Sequence, residues 1–324
     1  MTLALPVLLL VLFCSPETVH AFRTITVQTI DPLPSWNDTV AKTRILTFIK
    51  QASDPAHPGF IPKNERIAAI DLDGTLIVEK PLSVQVEVAL DLLRRQVRDD
   101  RSLRDQQPWK AARENDLEYI RENLNEVLLK AVEGMSLAEY RKYAALVLRN
   151  NRHPRFDLPY KSTVYKPMLE LIQTLHEAGF RVYPVGGAQT EFIRALAAEK
   201  IDSIEPYEVI GSRVAIEFDP GEGNPRFKQN GYFLEPDNWL NGKAENIREL
   251  LGMGPVIVAG NSMGDLEMLT YADSNSRPHL CLVINHDDEN REYAYPDKEL
   301  LDLAKKEGWT VVSIKGDWSK LFEK

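Results

Sequence analysis

The chain has 324 residues, 44% of them hydrophobic and 27% charged, with a formal net charge of −9. That length supports one large domain or two modest ones with a sizeable core, and the composition argues against disorder. The acidic balance opposes binding to nucleic acid through a broad basic face. Two cysteines, Cys14 and Cys281, exclude a disulfide scaffold and a multi-cysteine zinc site.

Residues 3–14 form a nearly unbroken apolar run, shorter than the roughly 20 residues a membrane-spanning helix needs. Val19-His20-Ala21 follows as a small-x-small cleavage pattern, so residues 1–21 read as a secretory signal cut after Ala21. Export would place the mature chain in a secreted or periplasmic compartment, with no stable membrane span. Cys14 and Glu17 would leave with the signal, giving a net charge of −8 and leaving Cys281 alone in an apolar setting. Asn37-Asp38-Thr39 is a glycosylation sequon. Residues 22–65, with several prolines and one helical stretch near 40–51, read as an arm on the main domain.

From residue 67 the texture changes. Short apolar runs bounded by turn residues recur at 67–71, 181–186, 207–211, 256–260 and 280–284, with another at 310–314. Such runs suit strands buried on both faces. Helical patterns lie between most of them, at 168–178, 191–199, 243–251 and 266–271, which implies a parallel sheet with right-handed crossovers. Residues 212–233 alternate around Gly-rich turns and predict a β-hairpin beside the sheet. Residues 78–165 interrupt the rhythm with helical periodicity at 84–97, 109–132 and 137–149. They read as an inserted helical domain, with Trp109, Tyr119, Tyr140 and Tyr143 as core aromatics. The core is then 66–77 with 166–324.

In an open parallel sheet, ligands bind beyond the carboxyl ends of the strands. The first strand ends Asp71-Leu72-Asp73-Gly74-Thr75-Leu76. Two carboxylates there call for a hard oxygen-ligated cation such as Mg²⁺. One can attack phosphorus and the other can protonate the leaving oxygen. Asn261 and Asp265, in Gly260-Asn261-Ser262-Met263-Gly264-Asp265, supply oxygen donors at another strand end. Lys243 opens a helix; taken alone it reads as a solvated lysine, and facing the cleft it would neutralise phosphate. Val185-Gly186-Gly187-Ala188 offers backbone N–H groups to an anion.

In this order the four strand ends resemble the haloacid dehalogenase superfamily, on its phosphoserine-phosphatase-like branch. GNSMGDLEML, LCLVINHDDENREYAY and GWTVVSIKGDW are similar to a bacterial group of secreted or periplasmic phosphatase-like hydrolases. The resemblance covers about residues 66–322. It implies a Rossmann-like parallel α/β core with the helical cap inserted between the first and second motifs. It implies Asp71 as nucleophile, Asp73 as general acid/base, and Lys243 holding Asp71 and phosphate. Asp71, the backbone carbonyl of Asp73, and Asn261 and Asp265, directly or through water, would form the Mg²⁺ site, and Gly186 and Gly187 would lie at the phosphate. The pattern departs twice: Gly186 stands where the second motif carries Ser or Thr, and Asn261 where many relatives carry Asp, although Asn is normal in the narrower group. Thr190 lies too far along to replace the hydroxyl. Asp73 argues for phosphate chemistry over carbon–halogen chemistry, because the superfamily's dehalogenases lack that acid.

The expectation is a Mg²⁺-dependent phosphomonoesterase acting on a small phosphorylated molecule through an aspartyl-phosphate. The alternatives are a catalytically weak phosphate-ligand binding protein on the same fold, or a phosphotransferase. Glu79, Lys80 and His286 are candidates for the substrate cleft. Nothing in the sequence fixes an oligomeric state.

Overall fold

The computed structural model describes residues 31–323; the expected signal, residues 1–21, lies outside them. In chain order the regular elements begin with α1 (Val40–Ser53), β1 (Ile67–Asp71), α2 (Val84–Asp99), α3 (Trp109–Glu114), α4 (Leu117–Glu122), α5 (Leu124–Val132) and α6 (Leu137–Asn150). There follow α7 (Lys166–Glu177), β2 (Arg181–Gln189), α8 (Thr190–Lys200), β3 (Ile210–Asp219), β4 (Arg226–Leu234), α9 (Asn241–Leu251) and β5 (Ile257–Gly260). The last are α10 (Leu266–Asp273), β6 (Leu280–Asn285), α11 (Lys298–Glu307), β7 (Thr310–Ser313) and the single turn α12 (Ile314–Asp317).

The strands form one sheet in the order β4-β3-β2-β1-β5-β6-β7. All neighbours are parallel except β3 and β4. β1 is central, and its side chains divide by the strand period of two. Ala68 and Ile70 enter one core cluster, Ile67 and Ala69 the other, all 0% exposed. The chain leaves β1 towards β2 on one side and reaches β5 on the other. That reversal opens a crevice at the carboxyl end of β1, where Asp71 ends the strand.

Three readings shift in detail. The helical pattern at 109–132 resolves into α3, α4 and α5. Asn115 turns left-handed at φ 56°, and the Asp116 carboxylate caps the next helix by accepting from Tyr119 N at 3.1 Å. The third strand begins at Ile210 rather than 207 and runs on into the expected hairpin, because its pairing continues onto β4. α1 extends to Ser53.

The segment before β1 is anchored on the carboxyl-terminal part of the core. Trp36 meets Trp318 edge-to-face at 5.9 Å, and its Nε1 donates to Pro167 O at 3.0 Å. The Asn37 amide nitrogen, the sequon's acceptor atom, donates to Gly316 O at 2.8 Å. α6 packs on α8, with Arg149 Nε donating to Glu199 Oε2 at 2.6 Å. The outer edge of β4 is covered where Gln229 exchanges backbone hydrogen bonds with Gly134 and Met135. Cys281 is free and buried, and burial pushes its thiol up to about 12. Among the described residues no helix is long and apolar enough to cross a membrane.

Candidate active site

The first motif is held from below by apolar side chains and from the side by a glycine. Leu72, Leu76, Ile77 and Val78 are all 0% exposed, and Leu76 N and Ile77 N both donate to Leu72 O. This tight turn leaves Asp71 and Asp73 facing the crevice. Gly74 has φ +83°, and a Cβ there would fall 2.2 Å from Asn261 Nδ2. The position therefore demands glycine for both conformation and space.

At the end of β5 the fourth motif folds around Asp265. Its Oδ2 accepts from Asn261 N at 2.9 Å and Ser262 N at 3.2 Å. Its Oδ1 accepts from Lys243 Nζ at 2.6 Å, and the same ammonium donates to Asp71 Oδ1 at 2.5 Å. Lys243 is only 2% exposed, so the solvated-surface reading of this lysine fails. The segment before it is tightly wound: Leu240 has φ +49°, and a Cβ on Gly242 would fall 1.8 Å from Asp237 O. Asn238, fully buried, ties the loop down. Its Nδ2 donates to Gly186 O and Ile210 O, and its backbone N–H donates to Ser212 Oγ. The ends of β2 and β3 are thereby pinned to the helix that carries Lys243.

The electrostatics are those of acids kept out of water. Burial holds Asp71 well above the usual carboxylate range; Asp265 adds to this and Lys243 opposes it. Burial, and then the Glu79 charge, push Asp73 up to about 7. Burial alone would lower Lys243, but Asp265 and Asp71 more than reverse that, and it stays firmly protonated.

These groups open into a cleft of about 530 Å³. Asp71, Asp73, Gly187 and Lys243 form its floor, and Val86, Arg121, Leu124 and Leu128 reach it from the helical insertion. Glu79 and Lys80 line it as expected from sequence, with Lys80 Nζ 4.7 Å over the Tyr295 ring. A wider, shallower groove of about 990 Å³ beside α9 and α10 contains none of the strand-end acids.

Three expectations need correction or refinement. His286 does not face the cleft: it is 1% exposed, behind the first motif, with Nε2 2.7 Å from Gly74 O and Nδ1 3.0 Å from Glu292 Oε2. Its stacking on Tyr295 at 4.1 Å completes a buried support for the turn. Asp265 gives Oδ1 to Lys243 and Oδ2 to two backbone N–H groups, and its expected part in a cation site, directly or through water, would use the lone pair left on Oδ1. Gly186 admits no hydroxyl-bearing side chain without movement, since a Cβ would meet Leu72 Cβ at 2.8 Å. Thr190 does not replace it, because its hydroxyl is turned to Gly211 O at 3.1 Å.

The sequence reading also missed Trp239. It is 53% exposed at the cleft, 5.9 Å from Lys243 Nζ, and lies against Gly187 and Gly264. Its position just before Lys243, in a run of turn-forming residues, was the available signal. The four aromatics expected in the helical core do not line this cleft.

The fit of a hard divalent cation rests on the donors. Among the described residues no three His, Cys, Asp or Glu side chains converge as a metal set. The available set is instead mixed: the Asp71 carboxylate, the Asp73 main-chain carbonyl, the Asn261 amide oxygen and the Asp265 carboxylate. All are hard oxygen donors suited to Mg²⁺. Asp73 Oδ1 is buried with no hydrogen-bond partner, and such an orphan calls for a cation or water. The residues fit the group.

A Rossmann-like sheet with acids at the ends of β1 and β5 and a buried lysine between them defines a class of α/β hydrolase. The family model of the haloacid dehalogenase-like hydrolases matches residues 68–270, and the chain belongs to that family. No curated protein sequence matches the chain. Among solved structures, a conserved, functionally unknown protein from Anaerococcus prevotii is 15% identical, with a TM-score of 0.57 over 84% of this chain and 91% of that one. A family hydrolase from Salmonella enterica is 16% identical, with a TM-score of 0.41 over 78% and 68%. A phosphoserine phosphohydrolase-like protein from Francisella tularensis is 15% identical, with a TM-score of 0.40 over 76% and 94%.

Proposed function

We propose that the chain is a Mg²⁺-dependent phosphomonoesterase that works through an aspartyl-phosphate on Asp71. The observation that carries this reading is the Lys243 ammonium, shared between Asp71 Oδ1 and Asp265 Oδ1 at the floor of the cleft. It fixes one oxygen of Asp71 and leaves Oδ2, which makes no hydrogen bond among the described residues, as the attacking atom. Bound Mg²⁺, held by the Asp71 carboxylate, the Asp73 main-chain carbonyl, Asn261 and, directly or through water, Asp265, would supply charge neutralisation for the phosphoryl oxygens.

In the first step Asp71 Oδ2 bonds to phosphorus, the ester P–O bond breaks, and Asp73 gives its proton to the leaving oxygen. In the second, Asp73 takes a proton from water, the water oxygen bonds to phosphorus, and the Asp71–phosphorus bond breaks. Lys243 stays protonated throughout and offsets phosphate charge. Residues 78–165 act as the cap, with Arg121 and Leu124 placed to meet the part of a small phosphorylated molecule beyond the phosphate. The missing hydroxyl at Gly186 favours a second reading, phosphate-ligand binding without turnover.

Phosphate release from p-nitrophenyl phosphate, with and without Mg²⁺, tests the proposal. Mg²⁺-dependent turnover supports it. No turnover on this or a broad panel of phosphate esters, together with phosphate binding, would establish the second reading. Transfer product in excess of free phosphate would mean a phosphotransferase.

Asp73 predicts a pH dependence. With a raised acid, the protonated form needed for the first step is lost as pH rises through about 7. A bound cation favours the ionised form, so the falling limb for glycerol phosphate is expected at or below that pH. p-Nitrophenyl phosphate, whose leaving group departs without a proton, should show a much shallower fall. Parallel profiles for the two esters would remove Asp73 from the acid role.

We propose further that residues 1–21 direct export. Amino-terminal sequencing of the exported protein is expected to begin at Phe22; an intact amino terminus would overturn this.

A further inference from the structure

Asn261, the one amide among the oxygen donors proposed for the cation, carries no charge, and its hydrogen-bond partner does. Asn261 Nδ2 donates to Glu79 Oε1 at 3.0 Å, and its Oδ1 lies 3.3 Å from Thr75 Oγ1. A carboxylate can only accept, so the contact with Glu79 fixes which end of the amide is nitrogen. The oxygen is left on the side of the first motif. Both side chains press on Gly74, the residue after Asp73: a Cβ there would lie 2.2 Å from Asn261 Nδ2 and 2.7 Å from Glu79 Oε1. Asn261 is 5% exposed, and the neighbouring Asp73 Oδ1 is buried without a partner.

We infer that Glu79 supplies the negative charge absent at position 261 and orients the Asn261 amide, so that the Glu79–Asn261 pair acts as one unit in binding a divalent cation. The inference rests on the Mg²⁺ site proposed above. Glu79 then acts through Asn261 as a positioning residue, in the manner of the outer partners that aim metal ligands. Its charge attracts the cation, and its hydrogen bond holds the only orientation of the amide that presents oxygen.

The test is calorimetric titration of the full chain with Mg²⁺ and with Mn²⁺, with thermal unfolding of the metal-free protein alongside. Glu79→Gln keeps an acceptor for Asn261 Nδ2 but removes the charge. It is expected to weaken cation binding by about 10–100-fold while leaving the metal-free unfolding midpoint unchanged. A second variant, Glu79→Gln with Asn261→Asp, moves the charge to the other partner and keeps a hydrogen bond between them. It is expected to regain most of the lost affinity. If Glu79 only clasped the loop, Glu79→Gln would bind as tightly as wild type, and that result overturns the inference. A double variant no better than Glu79→Gln also overturns it. A wild-type chain that binds neither cation removes the proposed metal site itself, and this inference with it.

Discussion

Asp71→Asn is expected to reduce hydrolysis of p-nitrophenyl phosphate by on the order of 10⁴–10⁶-fold, the scale on which removal of a nucleophile acts in other covalent hydrolases. The amide is nearly isosteric, so the floor of the cleft should keep its shape. Lys243 would lose one acceptor of charge but keep Asp265 Oδ1 at 2.6 Å, and Leu72 and Leu76 would still anchor the turn. Because Asp71 is held high by burial, replacing it with a neutral group also removes a buried ionisable acid, and unfolding should change little. The decisive measurement is chemical trapping. Wild type, quenched during turnover of a labelled phosphate ester, should carry acid-stable label on Asp71, and Asp71→Asn should carry none. Retained turnover in the variant, or label at another residue, would sink the assignment of the nucleophile.

The strand ends were legible because their signal is local. The apolar run 67–71 and the turn after it announce a buried strand delivering two acids, and the structure places both at the cleft. Lys243 was not legible by itself. Its burial depends on Asp71, 172 residues away, and on Asp265, neither of which a helix-start lysine foretells. The same coupling sets Asp265, whose first oxygen is held by Lys243 and whose second is held by the N–H groups of its own loop. His286 sits just past β6, as a cleft residue would, yet Glu292 and Tyr295 draw its ring beneath Gly74. Trp239 was overlooked because its place depends on the winding of 235–242 over two strand ends. The break at Asn115-Asp116 was readable as a pair of capping residues within the helical stretch, and the apolar periodicity running through it masked that signal. Periodicity reports which face is buried; it does not report whether one helix or three present that face.

Lys243→Met is expected to have the largest effect on stability. Removing one partner from a buried ionic cluster costs about 3–5 kcal/mol, since the remaining charges lose their compensation without gaining water. Here the remainder is two carboxylates, Asp71 and Asp265, that the ammonium had held together through its 2.5 and 2.6 Å contacts. Their repulsion raises Asp71 further, and that sets the sign of the pH dependence. An acid whose folded-state affinity for the proton exceeds its unfolded-state affinity contributes stability that is present at low pH and lost as pH rises through the folded value. The variant should therefore be most destabilised at pH 8, with the loss shrinking towards pH 5 as Asp71 takes up a proton. Mg²⁺ should restore part of the unfolding midpoint at pH 8 by substituting for the missing cation, without restoring turnover, because the phosphate has lost its lysine. Thermal unfolding at pH 5 and pH 8, with and without Mg²⁺, checks this. An equal loss at both pH values, indifferent to Mg²⁺, would mean that Lys243 serves packing alone and that the two carboxylates do not depend on its charge.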